Sequence, residues 1–285
     1  MILLADGGST KTHWCLVKEG ADDTYFYSEG FNPYFVDQDY IVHSLKKFLP
    51  KDFEPAEIHE IHFYGAGIHD KERIEILENA FATLFVKARI SIEHDLLGAC
   101  RALLGTNKGF AAILGTGSNT CFYDGYTITH HIDSGAYILG DEGSGCHIGK
   151  KLLIQYLRGK LSFQLKGLFD STHQLSREDI MNGIYTKPLA SRFCAGFCEF
   201  ISQHMNDPQI YQIIESSFDE FFENLVSLYP DYREYQLNAV GSIAFHFRQI
   251  LKKCAQKHGM VLGKIIKSPI KELVLYHKTT PVATI

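Results

Sequence analysis

The fold is decided by two short glycine-rich stretches, Asp6-Gly7-Gly8-Ser9-Thr10-Lys11-Thr12 and Gly115-Thr116-Gly117-Ser118-Asn119-Thr120. Each follows a short apolar run and precedes a second one, as a tight turn between two strands does. A glycine-containing hairpin then leads to a third strand in each case. The predicted strands cover residues 2–5, 13–18 and 24–28 in the first meander, and 110–114, 121–123 and 126–129 in the second.

The second meander repeats the first at a fixed distance along the chain. Aligning Gly8 with Gly117 gives an offset of 109 residues. A repeat of this size predicts two similar domains that each open on an antiparallel meander. We place the boundary in the polar stretch 105–109, so the predicted domains span 1–106 and 107–285.

Periodicity in the rest of the sequence predicts an α/β fold. In the first domain, further strands at 58–64 and 89–93 alternate with helices. The second domain is predicted to be more helical, with a strand at 235–240 and a short final helix that begins at Pro269. The other predicted helices cover 38–49, 70–87, 95–104, 147–167, 176–182, 188–204, 208–228 and 243–258.

The composition disfavours several classes of protein. Of 285 residues, 45% are hydrophobic and 21% are charged, which is typical of a soluble globular chain. The net charge is −5 and basic residues form no run, so we expect no nucleic-acid partner. We expect no membrane association either, because no stretch approaches the roughly 18 uncharged apolar residues of a bilayer span. The N-terminus also lacks the basic start of a signal peptide.

The cysteines and histidines predict neither disulfides nor a structural metal site. Seven cysteines occur, an odd number without a CxxC pair, which indicates reduced thiols in a cytoplasmic protein. Cys194 and Cys198 are spaced as two buried residues on one helix face. The 14 histidines include no HExxH motif.

Both glycine turns are candidates for phosphate binding. Glycine lets backbone N–H groups point into one concavity, and Ser and Thr hydroxyls add short donors. Asp6 precedes the first turn, where a carboxylate beside phosphates predicts a bound Mg²⁺; the alternative is an Asp that caps the turn. The candidate phosphate-binding residues are Gly7, Gly8, Ser9, Thr10, Lys11 and Thr12 in the first turn, and Gly115, Thr116 and Gly117 in the second.

Asp95 is the candidate catalytic residue. It follows the strand at 89–93 and precedes a helix, a position from which a carboxylate can take a proton from a substrate hydroxyl. The alternative is a helix N-cap, for which Asp is well suited. His94 stands beside it and is able to orient or tune that carboxylate.

Two further stretches resemble ligand-binding junctions. Gly140-Asp141-Glu142-Gly143-Ser144-Gly145 precedes a long helix, and either carboxylate is able to accept hydrogen bonds from substrate hydroxyls. The alternative is a solvated loop with a capping Ser. Val240-Gly241-Ser242 joins a strand to a helix. There Gly241 allows a flat base to lie against the backbone, and Ser242 is predicted to cap the helix.

These stretches, in this order, resemble the sugar kinase/actin/Hsp70 superfamily. Within it, GTGSN and GDEGSG resemble the N-acetylglucosamine kinase-like branch of the BadF/BadG/BcrA/BcrD ATPase family most closely. The resemblance implies two RNase H-like (actin-like ATPase) domains with a nucleotide and sugar cleft between them. It also implies ATP and Mg²⁺ as cofactors and an amino sugar as substrate.

The resemblance also implies a role for each matching residue. Asp95 matches the base for the sugar 6-hydroxyl, Asp6 the magnesium-anchoring group, and Gly241 with Ser242 the adenosine motif. His94 stands where Asn is common in the family. The matching sugar-side positions are Asn32, Gly65, Ala66, Gly67, Thr116, Asn119 and Asp141.

Three functions remain open at this point. The first is an ATP-dependent kinase for N-acetylglucosamine or a related amino sugar, which Asp95 favours. The second is an ATPase that activates a partner through an iron–sulfur cluster, which the poorly placed Cys121 and Cys146 disfavour. The third is a sugar sensor without turnover. The sequence leaves the preferred amino sugar and the oligomeric state open, a homodimer included.

Overall fold

The chain forms two compact units in a computed structural model that describes residues 1–8, 11–18, 20–51, 53–68 and 70–280. The first unit is Met1–Thr106 together with the segment that starts at Ser268. The second unit is Asn107–Lys267. In the described part of the chain, no helix combines the length and the apolar composition that crossing a membrane requires.

The first unit is built on a mixed sheet. Among the described residues its strand order is β3-β2-β1-β4-β5, with β1, β2 and β3 antiparallel and β1, β4 and β5 parallel. Three consecutive residues of the central strand β1, Leu3, Leu4 and Ala5, have no exposed surface, because both faces of this strand are covered. The strands are β1 (Ile2–Gly7), β2 (Lys11–Val17), β3 (Thr24–Glu29), β4 (Glu60–Gly65) and β5 (Arg89–His94). The helices are α1 (Gln38–Phe48), α2 (Lys71–Leu84) and α3 (Asp95–Leu104), with a 3-10 turn at Pro55–Glu57.

The second unit repeats this plan and adds helices. Its strand order, for the described residues, is β10-β9-β6-β7-β8, with β6, β9 and β10 parallel and β6, β7 and β8 antiparallel. The strands are β6 (Gly109–Leu114), β7 (Ser118–Tyr123), β8 (Ile128–His131), β9 (Gln236–Val240) and β10 (Val261–Ile266). The helices are α4 (Ala136–Leu139), α5 (Gly145–Leu157), α6 (Phe163–His173), α7 (Arg177–Tyr185), α8 (Ala190–Gly196), α9 (Cys198–Gln203), α10 (Pro208–Asn224), α11 (Ser242–His246) and α12 (Arg248–Lys257). Two short 3-10 turns, at Val226–Leu228 and Tyr232–Glu234, lie between α10 and β9.

Three of the long predicted helices are interrupted. The predicted helix 147–167 breaks into α5 and α6, because Gly159 has a left-handed φ of 64° and Ser162 caps a new helix. The predicted helix 188–204 breaks after Gly196, so Cys194 and Cys198 lie on successive helices rather than on one. The predicted helix 243–258 breaks at Phe247.

The last helix, α13 (Ile270–Thr279), belongs to the first unit, whereas the predicted second domain ran to residue 285. It begins after Pro269, as predicted. It packs on β1 and β2 because its apolar side chains complete a buried cluster that those strands leave open. The cluster consists of Leu4, Cys15, Val17, Ile270 and Val274.

Candidate active site

In the first unit, three parallel strands end at one edge of the sheet. Gly7 of β1 pairs with Gly65 of β4, and Gly65 pairs with His94 of β5. The N–H of Ala66 donates to the carbonyl of Gly7 over 2.8 Å, which ties the first two ends together. Ligand sites commonly form at the carboxyl ends of parallel strands, so this edge is the candidate site of the unit.

Two carboxylates interact at this edge. Asp6 lies in β1, one residue before its end, where it pairs with His13 and Tyr64; it is therefore a strand residue rather than a turn cap. Desolvation by burial and the charge of Asp95 raise the pKa of Asp6 to about 7, and Lys11 opposes them. A carboxylate that is desolvated and repelled in this way is a suitable ligand for a divalent cation.

Asp95 is the first residue of α3, and the helix is capped by His94. The imidazole Nδ1 of His94 accepts a hydrogen bond from the N–H of Leu96 over 3.1 Å. Because His94 performs the capping, the interpretation of Asp95 as the N-cap is wrong. The Oδ1 atom of Asp95 is buried and lies 2.9 Å from His94 Nδ1. Burial lowers the pKa of His94, but the neighbouring carboxylate outweighs it and the net pKa is raised. Nδ1 accepts from Leu96 only in the neutral ring, whereas in the protonated ring it donates to Asp95.

The predicted sugar-side residues of this unit lie together. Asn32 follows Phe31, whose ring packs on the buried Trp14. The Oδ1 atom of Asn32 accepts a hydrogen bond from the N–H of Tyr34 over 3.0 Å. A Cβ on Gly67, where φ is 80°, would lie 2.4 Å from that oxygen. The loop at 31–35 therefore touches the loop at 65–67, and the contact requires glycine at 67.

Sequence analysis missed a brace beside these loops. The guanidinium of Arg73 lies 3.8 Å from the ring centre of Tyr34, and the same side chain pairs with Asp70. Asp70 caps α2 by accepting from the N–H of Arg73. The brace joins the loop that carries Asn32 to the start of α2. The Pro33-Tyr34 pair was the available signal, but nothing in the sequence indicates its partner.

The first glycine turn is partly described. The N–H of Gly8 donates to the carbonyl of Lys11 over 3.1 Å, which closes the turn. Thr12 is fully buried, and its Oγ1 has no hydrogen-bond partner among the described residues. Lys11 places its ammonium 4.9 Å from the ring centre of Tyr27. Of the predicted phosphate-binding residues, Ser9 and Thr10 lie outside the described residues.

The second glycine turn is held by the start of a helix. The N–H of Gly115 donates to the carbonyl of Gly117 over 3.0 Å. The carbonyls of Gly115 and Thr116 accept from the N–H groups of Gly145 and Cys146, over 2.8 and 3.0 Å. The turn and the N-terminus of α5 therefore fix each other.

Each turn contains a buried hydroxyl without a partner in the described parts of the chain. In the first turn it is Thr12 Oγ1, and in the second it is Ser118 Oγ. A buried donor left unpaired destabilises the fold unless a ligand accepts its hydrogen bond. Both hydroxyls are buried, however, so phosphate binding at each turn stays a prediction that depends on its backbone N–H groups.

Asp141 braces the second turn, although the resemblance implied a contact with sugar. Its Oδ1 accepts from the N–H of Ser118 over 3.2 Å and from the hydroxyl of Ser134 over 2.9 Å. A Cβ on Gly117 would lie 2.9 Å from its Oδ2. Burial raises the pKa of Asp141, and these two hydrogen bonds oppose the rise. The neighbouring Glu142 accepts a hydrogen bond from the amide of Asn224, so both carboxylates of the loop contact protein groups.

The remaining predicted residues of the second unit have mixed outcomes. The Oδ1 of Asn119 accepts from the N–H of Thr120 and lies 2.8 Å from His131 Nε2, and Thr116 is exposed. Gly241 has φ 130°, and a Cβ there would lie 2.2 Å from the carbonyl oxygen of Leu114, so the junction closely approaches the second turn. The prediction that Ser242 caps α11 is wrong, because Gly241 is the N-cap and no side chain caps this helix.

Mg²⁺ is the metal that these residues fit. The described residues contain no group of three or more His, Cys, Asp or Glu side chains that would form a protein-only cage. Mg²⁺ usually retains several waters and needs only one or two carboxylates besides phosphate oxygens. Asp6, with the charge of Asp95 beside it, fits that requirement.

Known proteins were then compared with this chain. No family profile matches the sequence, and no protein of curated function matches it. Among solved structures, a proposed N-acetylglucosamine kinase from Porphyromonas gingivalis is 38% identical in sequence, with a TM-score of 0.94 over 99% of this chain and 100% of that chain. The chain belongs to this N-acetylglucosamine kinase-like family of sugar kinases. The predicted family is thus confirmed.

More distant structures share the fold. A proposed N-acetylglucosamine kinase from Chromobacterium violaceum is 17% identical, with a TM-score of 0.72 over 96% of this chain and 98% of that one. A ROK family glucokinase from Streptomyces griseus, solved with glucose and AMPPNP, is 13% identical, with a TM-score of 0.61 over 96% and 97% of the two chains. These likenesses concern the fold alone, and they confirm the predicted α/β class with two RNase H-like domains.

Proposed function

We propose that this sugar kinase transfers the γ-phosphoryl group of ATP to the 6-hydroxyl of an amino sugar, with N-acetylglucosamine as the preferred acceptor. The observation that carries the proposal is the arrangement of Asp95. Its carboxylate opens a helix at the edge where three strands end, while His94 performs the capping. Because the Asp95 carboxylate lies at a strand end and does not cap the helix, it is available to a substrate.

Asp95 acts as the general base. Its carboxylate accepts the proton of the sugar hydroxyl as the oxygen attacks the γ-phosphorus and the bond to ADP breaks. The nearby Nδ1 of His94, 2.9 Å from Oδ1, limits the orientations that the carboxylate can adopt. His94 is therefore a positioning residue in this proposal.

Asp6 holds Mg²⁺, which when bound offsets the negative charge of the phosphates. The elevated pKa of Asp6 supports this role, because burial and Asp95 destabilise its charged form until a cation is present. The backbone N–H groups of the two glycine turns donate to phosphate oxygens. Gly241 gives the adenosine a surface without a side chain.

Asn32 and the loop 65–67 bind the sugar. Gly65 and Gly67 have no side chain and Ala66 has only a methyl group, so the acetamido group is assigned to the backbone of this loop. The buried amide of Asn32, 9% exposed, is oriented by the N–H of Tyr34 and is able to bond a hydroxyl. Because sugar hydroxyls need paired donors and acceptors, these contacts favour a sugar over an apolar ligand.

The test is ADP release measured with no sugar, with glucose and with N-acetylglucosamine. We expect slow release without sugar and at least about a tenfold increase with N-acetylglucosamine, equal to roughly 1.4 kcal/mol of barrier. Phosphorus NMR of the product would then identify the phosphorylated hydroxyl. Equal rates in all three samples would contradict the kinase and favour the ATPase that acts on a partner. Equal rates with the two sugars would contradict the acetamido preference alone.

A further inference from the structure

A chain of polar side chains lies behind the loop Gly140–Gly145 in the second unit. Ser217 of α10 is fully buried, and its Oγ lies 2.8 Å from Nδ1 of His147 on α5. Nε2 of His147 lies 3.3 Å from a carboxylate oxygen of Glu220, again on α10. The other oxygen of Glu220 accepts from the ammonium of Lys151. Ser217 also receives the N–H of Gly143 over 3.3 Å.

The directions of these hydrogen bonds follow from the groups themselves. The carboxylate of Glu220 only accepts, so a neutral His147 carries its one proton on Nε2, and its Nδ1 accepts from the hydroxyl of Ser217. The Ser217 oxygen thus donates its proton to His147 while it accepts from the N–H of Gly143. Burial lowers the pKa of His147, Glu220 opposes this and the neighbouring lysines reinforce it, so the neutral ring is the relevant form.

The arrangement resembles the catalytic triad of a hydrolase, but the burial of the serine excludes that role. Ser217 has no exposed surface, and its hydroxyl is already bonded on two sides. A nucleophile needs an accessible oxygen at a site that a substrate reaches. The role left for this network is structural: Ser217 accepts a hydrogen bond from the backbone N–H of Gly143 and so fixes that residue.

Gly143 connects the network to the second glycine turn. It has a φ of 77°, and a Cβ there would lie 2.9 Å from Cβ of Phe221, so the backbone lies directly against α10. The next residue, Ser144, donates its N–H to the carbonyl of Asp141 and accepts from the N–H of His147. Asp141 holds the N–H of Ser118, as described above.

We propose that His147, Ser217 and Glu220 are positioning residues that set the nucleotide affinity of the second glycine turn. They fix Gly143 on α10, and through Asp141 and Ser144 they fix the turn at 115–118. The inference rests on the proposed role of that turn in phosphate binding. It assigns these side chains no contact with either ligand.

The test compares four variants of the full chain. His147→Phe fills the site but removes both ring hydrogen bonds, and Ser217→Ala removes the acceptor of Gly143. His147→Gln is the rescue variant, because its amide oxygen is able to accept from Ser217 while its amide nitrogen donates to Glu220. Ser216→Ala is the matched control, since Ser216 lies on the same helix and donates only to the carbonyl of Ile213 among the described residues.

Two measurements are made on each variant. Calorimetry gives the dissociation constant of Mg·AMPPNP without sugar, and steady-state kinetics gives the KM values of ATP and sugar. We expect His147→Phe and Ser217→Ala to weaken nucleotide binding about tenfold, as loss of a buried hydrogen bond does, with the sugar KM changed less than about twofold. His147→Gln should recover most of the affinity, and Ser216→Ala should match the wild type.

The outcomes separate this inference from the proposed function. Unchanged nucleotide affinity in both disruptive variants overturns the inference, as does an equal rise in both KM values or a failure of His147→Gln to exceed His147→Phe. If the wild type binds Mg·AMPPNP but phosphorylates no sugar, the proposed function fails while the calorimetric comparison still decides the inference. A wild type that binds no nucleotide overturns both.

Discussion

The two units share a meander and a glycine turn, yet they use their carboxylates differently. In the first unit, Asp6 and Asp95 lie at a sheet edge, and Asp95 is released from helix capping by His94. In the second, Asp141 occupies the comparable edge but accepts hydrogen bonds from Ser118 and Ser134. The first unit thus has two interacting carboxylates at this edge, whereas the carboxylate of the second accepts hydrogen bonds from its own chain.

The difference shows that two units with the same strand order can place their carboxylates in different electrostatic surroundings. Charged groups that are poorly solvated and close together destabilise the empty protein, and they are stabilised by cations and substrates. A loop fixed by internal hydrogen bonds offers oriented donors without reorganisation when the ligand arrives. Under the proposed function, the first glycine turn would therefore serve the chemistry and the second would orient the ligand.

The largest expected effect of a substitution is at Asp95 in the first unit. Asp95→Asn should lower sugar turnover by on the order of 10²–10⁴, because the base is lost while the size of the side chain is kept. Mg·ATP affinity should change little. Coupled ADP-release kinetics and calorimetry would measure the two effects. Glu93→Gln on the preceding strand is the matched control, and a turnover within tenfold of wild type in Asp95→Asn would contradict the proposed base.

In the second unit we expect a substitution at Gly241 to reduce the stability of the fold. Gly241→Ala should lower the free energy of unfolding by about 2–3 kcal/mol, because φ is 130° and the new Cβ would meet the carbonyl oxygen of Leu114. Urea unfolding would measure the loss. Gly115→Ala is the control, since no described atom lies within 4 Å of its added Cβ. Equal losses in the two variants would show that crowding at Gly241 is not the cause.

A substitution of Asp6 tests whether the negative charge of this residue contributes to Mg·ATP binding. Asp6→Asn should weaken Mg·ATP binding by about tenfold or more, roughly 1.4 kcal/mol, while the affinity for sugar stays within about twofold. Calorimetric titration with each ligand would distinguish the two. Similar losses for both ligands would indicate a general disturbance of the sheet edge instead.

The smallest expected effect concerns the helix that closes the first unit. The ring of His277 is tilted by 31° against that of His62, with ring centres 4.1 Å apart, and its Nε2 lies 2.8 Å from the hydroxyl of Tyr64. Burial, with the charges of His62 and Arg101, lowers the pKa of His277 to about 3. An unfolded histidine titrates near 6.5, so between pH 6.5 and 3 the unfolded chain binds more protons and stability falls as the pH falls.

This linkage predicts a measurable slope. His277 should contribute about 0.7 kcal/mol to the loss of unfolding free energy between pH 7 and pH 6. Urea unfolding at the two pH values would show a smaller loss in His277→Gln than in the wild type. His43→Gln is the control, because His43 is exposed on α1. An unchanged slope in His277→Gln would show that the ring is not held neutral.

The features that depend only on residues close together in the sequence could be predicted. The two turns, the strand before Asp95 and the helices of the first unit follow from local pattern, and the structure places them where predicted. Gly263 and Lys264 interrupt the apolar pattern of β10, whose pairing with β9 is irregular there, so this strand was not predicted. The capping by His94 was also missed, because histidine is an unusual N-cap.

Contacts between distant residues account for the other differences. The sequence cannot show that Asp141 accepts a hydrogen bond from Ser118, because that depends on how a loop folds back over 23 residues. The pair of His147 and Ser217 is separated by 70 residues, and α13 lies far from the strands it covers. Hydrophobic periodicity identifies a buried face but not the surface that buries it.

The return of α13 to the first unit has a consequence for the order in which the protein is made. The second unit is continuous in sequence, whereas the first needs residues that leave the ribosome only after the whole of the second unit. Until Ile270 and Val274 emerge, the cluster around Leu4, Cys15 and Val17 stays uncovered. The first unit is therefore completed only after the second has been synthesised, and until then the nascent chain exposes an apolar sheet face.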